Sequence, residues 1–127
     1  MKEVLAVIRM NKMNQTKQAL AEAGISAFHA RPVYGRGRGQ VDFRVLEGAK
    51  DGHPEAIAQL GNGPKLIPKR MLSVIVPDEK AQPVVDTIIK ANRTGHPGDG
   101  KVFVIPCSEV VRVRTGERDD AALDEVI

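Results

Sequence analysis

A long stretch without period divides this sequence. From Gly35 to about Pro68, neither the alternation of a strand nor the stripe of a helix persists. Gly35, Gly37, Gly39, Gly48, Gly52, Gly61 and Gly63, with Pro54 and Pro64, punctuate it. Structureless connections of this length are uncommon inside a compact domain and are usually functional or disordered. We read it as a long projecting loop; a passive insertion is the alternative.

Both flanks are periodic, and they match. Residues 2–10 (KEVLAVIRM) place Val4, Ala6, Ile8 and Met10 on one face and Leu5 and Val7 on the other. That pattern predicts a strand with little solvent exposure. Residues 13–23 predict a helix with Asn14 as N-cap, an apolar stripe of Thr16, Ala19, Leu20 and Ala23, and Gly24 just past its end. Ile25 to Tyr34 predicts a second strand, at an edge or a bulge, because Pro32 cannot donate to a ladder. Beyond the loop, order is expected to return at Lys69, with Met71 to Val76 as a strand bounded by Pro77. Ala81, Val84, Val85, Ile88 and Ile89 then form the strongest helical stripe in the chain. Pro83 predicts regular helix only from about residue 81, or a distorted first turn. Asn92 to Gly100 reads as a loop, Val102 to Ile105 as a strand, and Glu109 to Arg114 as a short extra strand. The tail after Gly116 is polar and expected to be mobile.

Two β-α-β halves predict an α/β (α+β) chain of the ferredoxin-like, split βαβ kind. Its antiparallel sheet would carry both helices on one face. Either the Val4 set or the Leu5 set would then remain uncovered, which predicts oligomerisation through the sheet face.

Composition supports one domain, residues 1–127, with 42% hydrophobic residues to build its core. No apolar run reaches the ~20 residues of a membrane span. No signal-peptide architecture opens the sequence, and Cys107 is the only cysteine, so a cytoplasmic location is expected. The net charge is +3 and aromatics are 3%, which lowers the case for nucleic acid. His29, His53, His96 and Cys107 lack metal-ligand spacing. Cys107 reads as a packed small hydrophobe. No nucleophile with its base is evident.

The segment Thr94-Gly95-His96-Pro97-Gly98-Asp99-Gly100-Lys101 holds the most chemistry. It has the spacing G-x-x-x-x-G-K, but Val102 and a strand follow where a P-loop needs Ser or Thr and a helix. The loop is either an ordinary hairpin turn or a nest of backbone N–H groups with a lysine for an anion. Arg112 and Arg114, at i and i+2, either clamp a polyphosphate or are charges on a solvated edge. Gly35-Arg36-Gly37-Arg38-Gly39-Gln40 and Lys69-Arg70 bracket the long loop with cations at its two roots.

Together these pieces resemble the PII nitrogen-regulatory signalling family. The carriers are MKEVLAVIR, TKQALAEAGI, VYGRGR, PKRMLSVIVPDE, VVDTIIKANRTGHPGDGKVFVIP and VRVRTGERDDAAL, covering nearly everything except about residues 40–66. The resemblance implies a ferredoxin-like homotrimer with ATP or ADP between subunits. It implies a T-loop at about 36–67, a B-loop at 94–103 and a C-loop region at 112–118. Gly98, Asp99, Gly100 and Lys101 would embrace the phosphates, with Gly35, Gly37, Arg38 and Ile75 also at the nucleotide. Arg112 and Arg114 would arrive from a neighbouring subunit. Magnesium with ATP would create a 2-oxoglutarate site of Gln40, Lys69 and Gly98. Gln40, displaced by one residue through Gly39, would meet the magnesium.

The loop is longer than in common members and lacks tyrosine, since Tyr34 precedes it; uridylylation of a loop tyrosine is therefore not expected. Met71 stands where many relatives carry a basic residue. The combination is similar to the nitrogenase-regulating branch, which commonly pairs two different PII-like chains. The implied function is an enzyme regulator that acts on nitrogenase through a ligand-biased loop, with glutamine synthetase or an ammonium transporter as alternative targets. A small nucleotide-dependent enzyme would need a positioned base, and none stands out. An RNA-binding ferredoxin-like module would need aromatics on strands 4–8 and 71–76, which contain none.

Overall fold

The computed structural model describes residues 1–36 and 66–123. The strands are β1 (Lys2–Arg9), β2 (His29–Gly35), β3 (Ile67–Val76) and β4 (Lys101–Pro106). The helices are α1 (Met13–Glu22) and α2 (Asp78–Asn92), with short 3-10 turns at Met10–Lys12 and Asp119–Ala122. The sheet is antiparallel in the order β2-β3-β1-β4, as the split βαβ reading predicts. Strand β2 lies at an edge, where the missing N–H of Pro32 is tolerated.

The pleat decides which side chains meet the helices. Val4, Ala6 and Ile8 of β1 and Leu72, Val74 and Val76 of β3 are buried, with Val4 opposite Val74 and Ala6 opposite Leu72. Leu20 of α1 and Ala81, Val84 and Ile88 of α2 close the core above them. The Val4 set is therefore the covered face. Leu5, Val7, Met71 and Ile75 lie on the other face and are only half buried, while Phe103 and Ile105 keep 46% and 39% of their surface exposed.

Local chemistry departs from the sequence reading at several points. Asn14 is not an N-cap, because the turn Met10–Lys12 leads directly into α1 and Lys12 holds the cap position. Gly24 does end α1: at φ +84° it lets Ile25 N–H reach Leu20 O at 2.8 Å and its own N–H reach Ala21 O at 3.0 Å. Strand β2 begins only at His29, while β3 begins at Ile67, because Ile67 to Arg70 pair in register with β2, and Lys69 and Arg70 with β1 as well. Helix α2 starts at Asp78 rather than near residue 81, so Pro83 lies inside it. Asp78 and Glu79 in the first turn favour that early start through the helix dipole. Its opening is tight, with Lys80 N–H on Pro77 O, one residue short of α-helical spacing.

The short extra strand at Glu109 to Arg114 is not formed. The segment makes one isolated bridge, Val111 to Arg118, around a turn closed by Gly116 N–H on Arg112 O at 2.7 Å. The tail is ordered further than expected: Asp119–Ala122 is a 3-10 turn and Leu123 is buried. Cys107 is half buried rather than packed away.

Candidate functional site

The antiparallel order brings four strand ends to one edge of the sheet. Strands β1 and β2 finish there, at Arg9 and Gly35, and β3 and β4 begin there, at Ile67 and Lys101. The loop between α2 and β4, residues 93–100, closes over this edge. Its glycines make the path possible: Gly95, Gly98 and Gly100 have φ of +86°, +100° and +107°. At Gly100 the requirement is also steric, because a Cβ would lie 1.9 Å from the carbonyl oxygen of Val7.

Two cations hold the loop down. Arg9 is 1% exposed, and its guanidinium donates to Asp99 Oδ1 at 2.6 Å and to Pro97 O at 3.0 Å. Lys69, 8% exposed, donates from Nζ to Gly98 O at 2.8 Å. Arg9 and Lys69 are register partners across β1 and β3. Like charges directly opposite each other are unfavourable, so the carbonyls and carboxylate of the loop are what allow the pair to sit together.

Asp99 is the knot of the loop. Its carboxylate accepts from Thr94 Oγ1 at 2.5 Å, from Thr94 N–H at 2.8 Å, from Gly95 N–H at 3.0 Å, and from Arg9. Burial pushes its pKa up, but the Thr94 hydroxyl and N–H, then Arg9 and Gly95 N–H, prevail and hold it at about 2. The carboxylate therefore points into the loop, shaping it from within. Lys101, at the start of β4, is exposed and can face an approaching anion. The arrangement offers turned backbone amides, an exposed lysine and a core of fixed cations, which is the chemistry of an anion cradle.

A cavity of about 340 Å³ lies beside this loop, lined by Ile8, Val85, Ile88, Asn92, Gly100 and Val102 among others. Asn92 forms its buried polar wall, donating to Thr16 Oγ1 at 3.0 Å and to Ile88 O at 2.9 Å. Thr16 Oγ1 in turn donates to Lys12 O at 2.8 Å, so the end of α2 is tied to α1 just before the loop begins.

The expected site residues divide into four groups. Gly35, Lys69, Gly98, Asp99, Gly100 and Lys101 gather at one end of the sheet. Ile75 does not join them within the chain: it pairs with Glu3, about 20 Å along β3 from Lys69. Arg112 and Arg114 lie on the separate turn rather than on a strand. Arg112 is held there by Glu117 at 2.7 Å, and Arg114 is exposed. Gly37, Arg38 and Gln40 lie outside the described residues. Arg9 is the site residue that sequence reading passed over. Its signal was a charged residue closing an apolar strand, which reads as a surface terminus until the register places it opposite Lys69.

Fold and site define a ferredoxin-like α+β protein with a cation-pinned glycine loop. The profile of the family described as "Nitrogen regulatory protein P-II" matches residues 1–117. A "Nitrogen fixation nifHD region GlnB-like protein 2" of Methanobacterium ivanovii is 45% identical, covering 97% of this chain and 99% of its own. The "Nitrogen regulatory protein P-II 1" of Escherichia coli K12 is 37% identical, covering 97% of this chain and 100% of its own. The crystal structure of Arabidopsis thaliana PII bound to citrate superposes with a TM-score of 0.71 at 31% identity, covering 95% of this chain and 90% of that one. The chain belongs to the nitrogen regulatory protein P-II family, whose members are signalling regulators rather than enzymes. No helix among the described residues is long and apolar enough to cross a membrane.

Proposed function

We propose that this chain is a cytoplasmic, homotrimeric signalling protein that senses ATP against ADP, together with 2-oxoglutarate, and regulates nitrogenase through its long loop. One observation carries the reading: Lys69, at the root of that loop, bonds directly to Gly98 of the glycine loop. A ligand that changes the glycine loop is thereby felt where the long segment ends and β3 starts. The Methanobacterium ivanovii relative, whose name refers to an nifHD region, supports nitrogen fixation as the setting.

The residues fit a nucleotide. Turned amides near Gly98 and Gly100 suit phosphate oxygens, Lys101 supplies a point charge, and Gly100 lets the backbone lie against Val7. Nucleotide phosphates bring negative charge to that cradle, and magnesium with ATP would be met by Gln40 and 2-oxoglutarate by Lys69. Arg112 and Arg114 would complete the site from a neighbouring subunit, and Ile75 would likewise reach it only across an interface. Differential affinity of the order of 1–3 kcal/mol is enough to bias the long loop between two poses.

Calorimetry with ATP, ADP, and ATP plus 2-oxoglutarate tests this. Lys101→Ala is expected to weaken nucleotide binding about tenfold. Lys69→Ala is expected to keep ATP affinity while losing the response to 2-oxoglutarate. A chain that stays monomeric and ignores both adenylates at millimolar concentration overturns the reading.

A further inference from the structure

We propose that the cavity between α2 and β4 is a second ligand site, built for a small branched carboxylate that carries a hydroxyl beside its acid group. The cavity exists because α2 closes the core over β1 and β3 and covers β4 incompletely; Val104 of that edge strand keeps 48% of its surface exposed. Ile8, Val85, Ile88, Ile89 and Val102 give it apolar walls, and its volume of about 340 Å³ lies at the small end of the range for ligand pockets. Val102 pairs with Ala6, and Ile8 shares the face of Ala6, so the cavity lies on the helix side of the sheet. The face that carries Leu5 and Phe103, where assembly is expected, is the opposite one.

Asn92 is an independent pointer to an occupant. It lines the cavity and is 4% exposed, and its Oδ1 is buried with no hydrogen-bond donor among the described residues. Exchanging the oxygen and nitrogen of the amide does not cure this. The Thr16 hydroxyl already donates to Lys12 O, so it can only accept from Asn92, and Ile88 O is an acceptor as well. Nδ2 must serve both, which leaves Oδ1 open to an occupant of the cavity. Buried acceptors are nearly always matched, and one left alone costs desolvation free energy that an arriving O–H recovers. Arg93 follows Asn92 directly, Lys101 opens β4, and both are exposed where they line the cavity. Two cations beside one orphaned acceptor select a polar head with a carboxylate and a neutral donor on neighbouring carbons. An ammonium in the donor's place would face both cations. The branched apolar body then lies against Val85, Ile89 and Val102.

Calorimetry on the full-length chain without nucleotide, with 2-hydroxy-4-methylpentanoate as probe, tests this apart from the adenylate reading. The probe is expected to bind with a Kd of the order of 1 mM or below, and 4-methylpentanoate, which lacks the hydroxyl, about tenfold more weakly. Leucine, with an ammonium in place of the hydroxyl, should also bind more weakly than the probe. NMR should place the response at the Asn92 side-chain amide and at the methyl groups of Val85 and Val102. Arg93→Gln should weaken the probe about fivefold, since it removes one of the two cations at the carboxylate. Val85→Phe fills the cavity and should abolish binding in a folded chain. Asn92→Leu should bind the hydroxy acid and the plain acid alike; if either of these last two variants does not fold, the comparison of the two acids on the native chain decides. No binding of the probe up to about 10 mM, equal affinity of the native chain for the two acids, tighter binding of leucine, or native affinity in a folded Val85→Phe overturns the proposal.

Discussion

Gly100 and Asp99 set the residue-scale requirements of the loop. A methyl group at residue 100 meets the Val7 carbonyl at 1.9 Å while the backbone sits at φ +107°. Neither the strand nor the backbone angle can yield cheaply, so Gly100→Ala should cost about 3 kcal/mol. Chemical denaturation measures this, and a loss under about 0.5 kcal/mol would contradict the close packing. Asp99 makes stability depend on acid. Its folded pKa of about 2 lies below the ordinary 3.8. The contribution is therefore complete above about pH 4 and fades as pH falls towards 2. With 27% of the side chain exposed, screening reduces it to about 1–2 kcal/mol. Acid unfolding of Asp99→Asn should be flatter across that window, and a curve parallel to the native one would remove the role given to the carboxylate.

At the scale of elements, α2 carries an avoidable cost. Pro83 has no N–H for the carbonyl of Glu79, yet the helix runs through it from Asp78. Burial of Ala81, Val84 and Ile88 outweighs that local penalty. Pro83→Ala should raise stability by about 1–3 kcal/mol, read as a higher urea midpoint with unchanged slope. This also shows where the sequence was and was not legible. Strand β1, the α2 stripe and the end of α1 at Gly24 are written in local periodicity and turn chemistry. The early start of β3 is not, because Ile67 to Arg70 become a strand only by pairing with β2, joined by β1 at Lys69 and Arg70. Glu109 to Arg114 alternates like a strand but, among the described residues, pairs only through one bridge, and it closes on itself as a turn. At the site, the glycines and Lys69 were visible as motifs. The burial of Arg9 was not, since a single basic residue acquires meaning only from the register that faces it with Lys69.

The whole molecule has one covered and one open sheet face. Leu5, Phe103 and Ile105 belong to the open face, and Phe103 and Ile105 expose more apolar surface than a lone chain needs. The proposed trimer, if assembled through this face, would hide them, and the proposed site would then draw Ile75 and Arg114 from a neighbour. Phe103→Asp should therefore shift the light-scattering mass from three chains to one and weaken nucleotide binding with it. Loss of assembly with native binding would separate the two. The resting of Gly100 on Val7 has one more effect. It leaves residues 93–100 no slack towards β1, and the grip on Pro97 and Gly98 uses only main-chain oxygens. Sequence drift is thus channelled to the side chain at residue 97, a place where surface character can change without rebuilding the cradle, because the grip there is on the main chain.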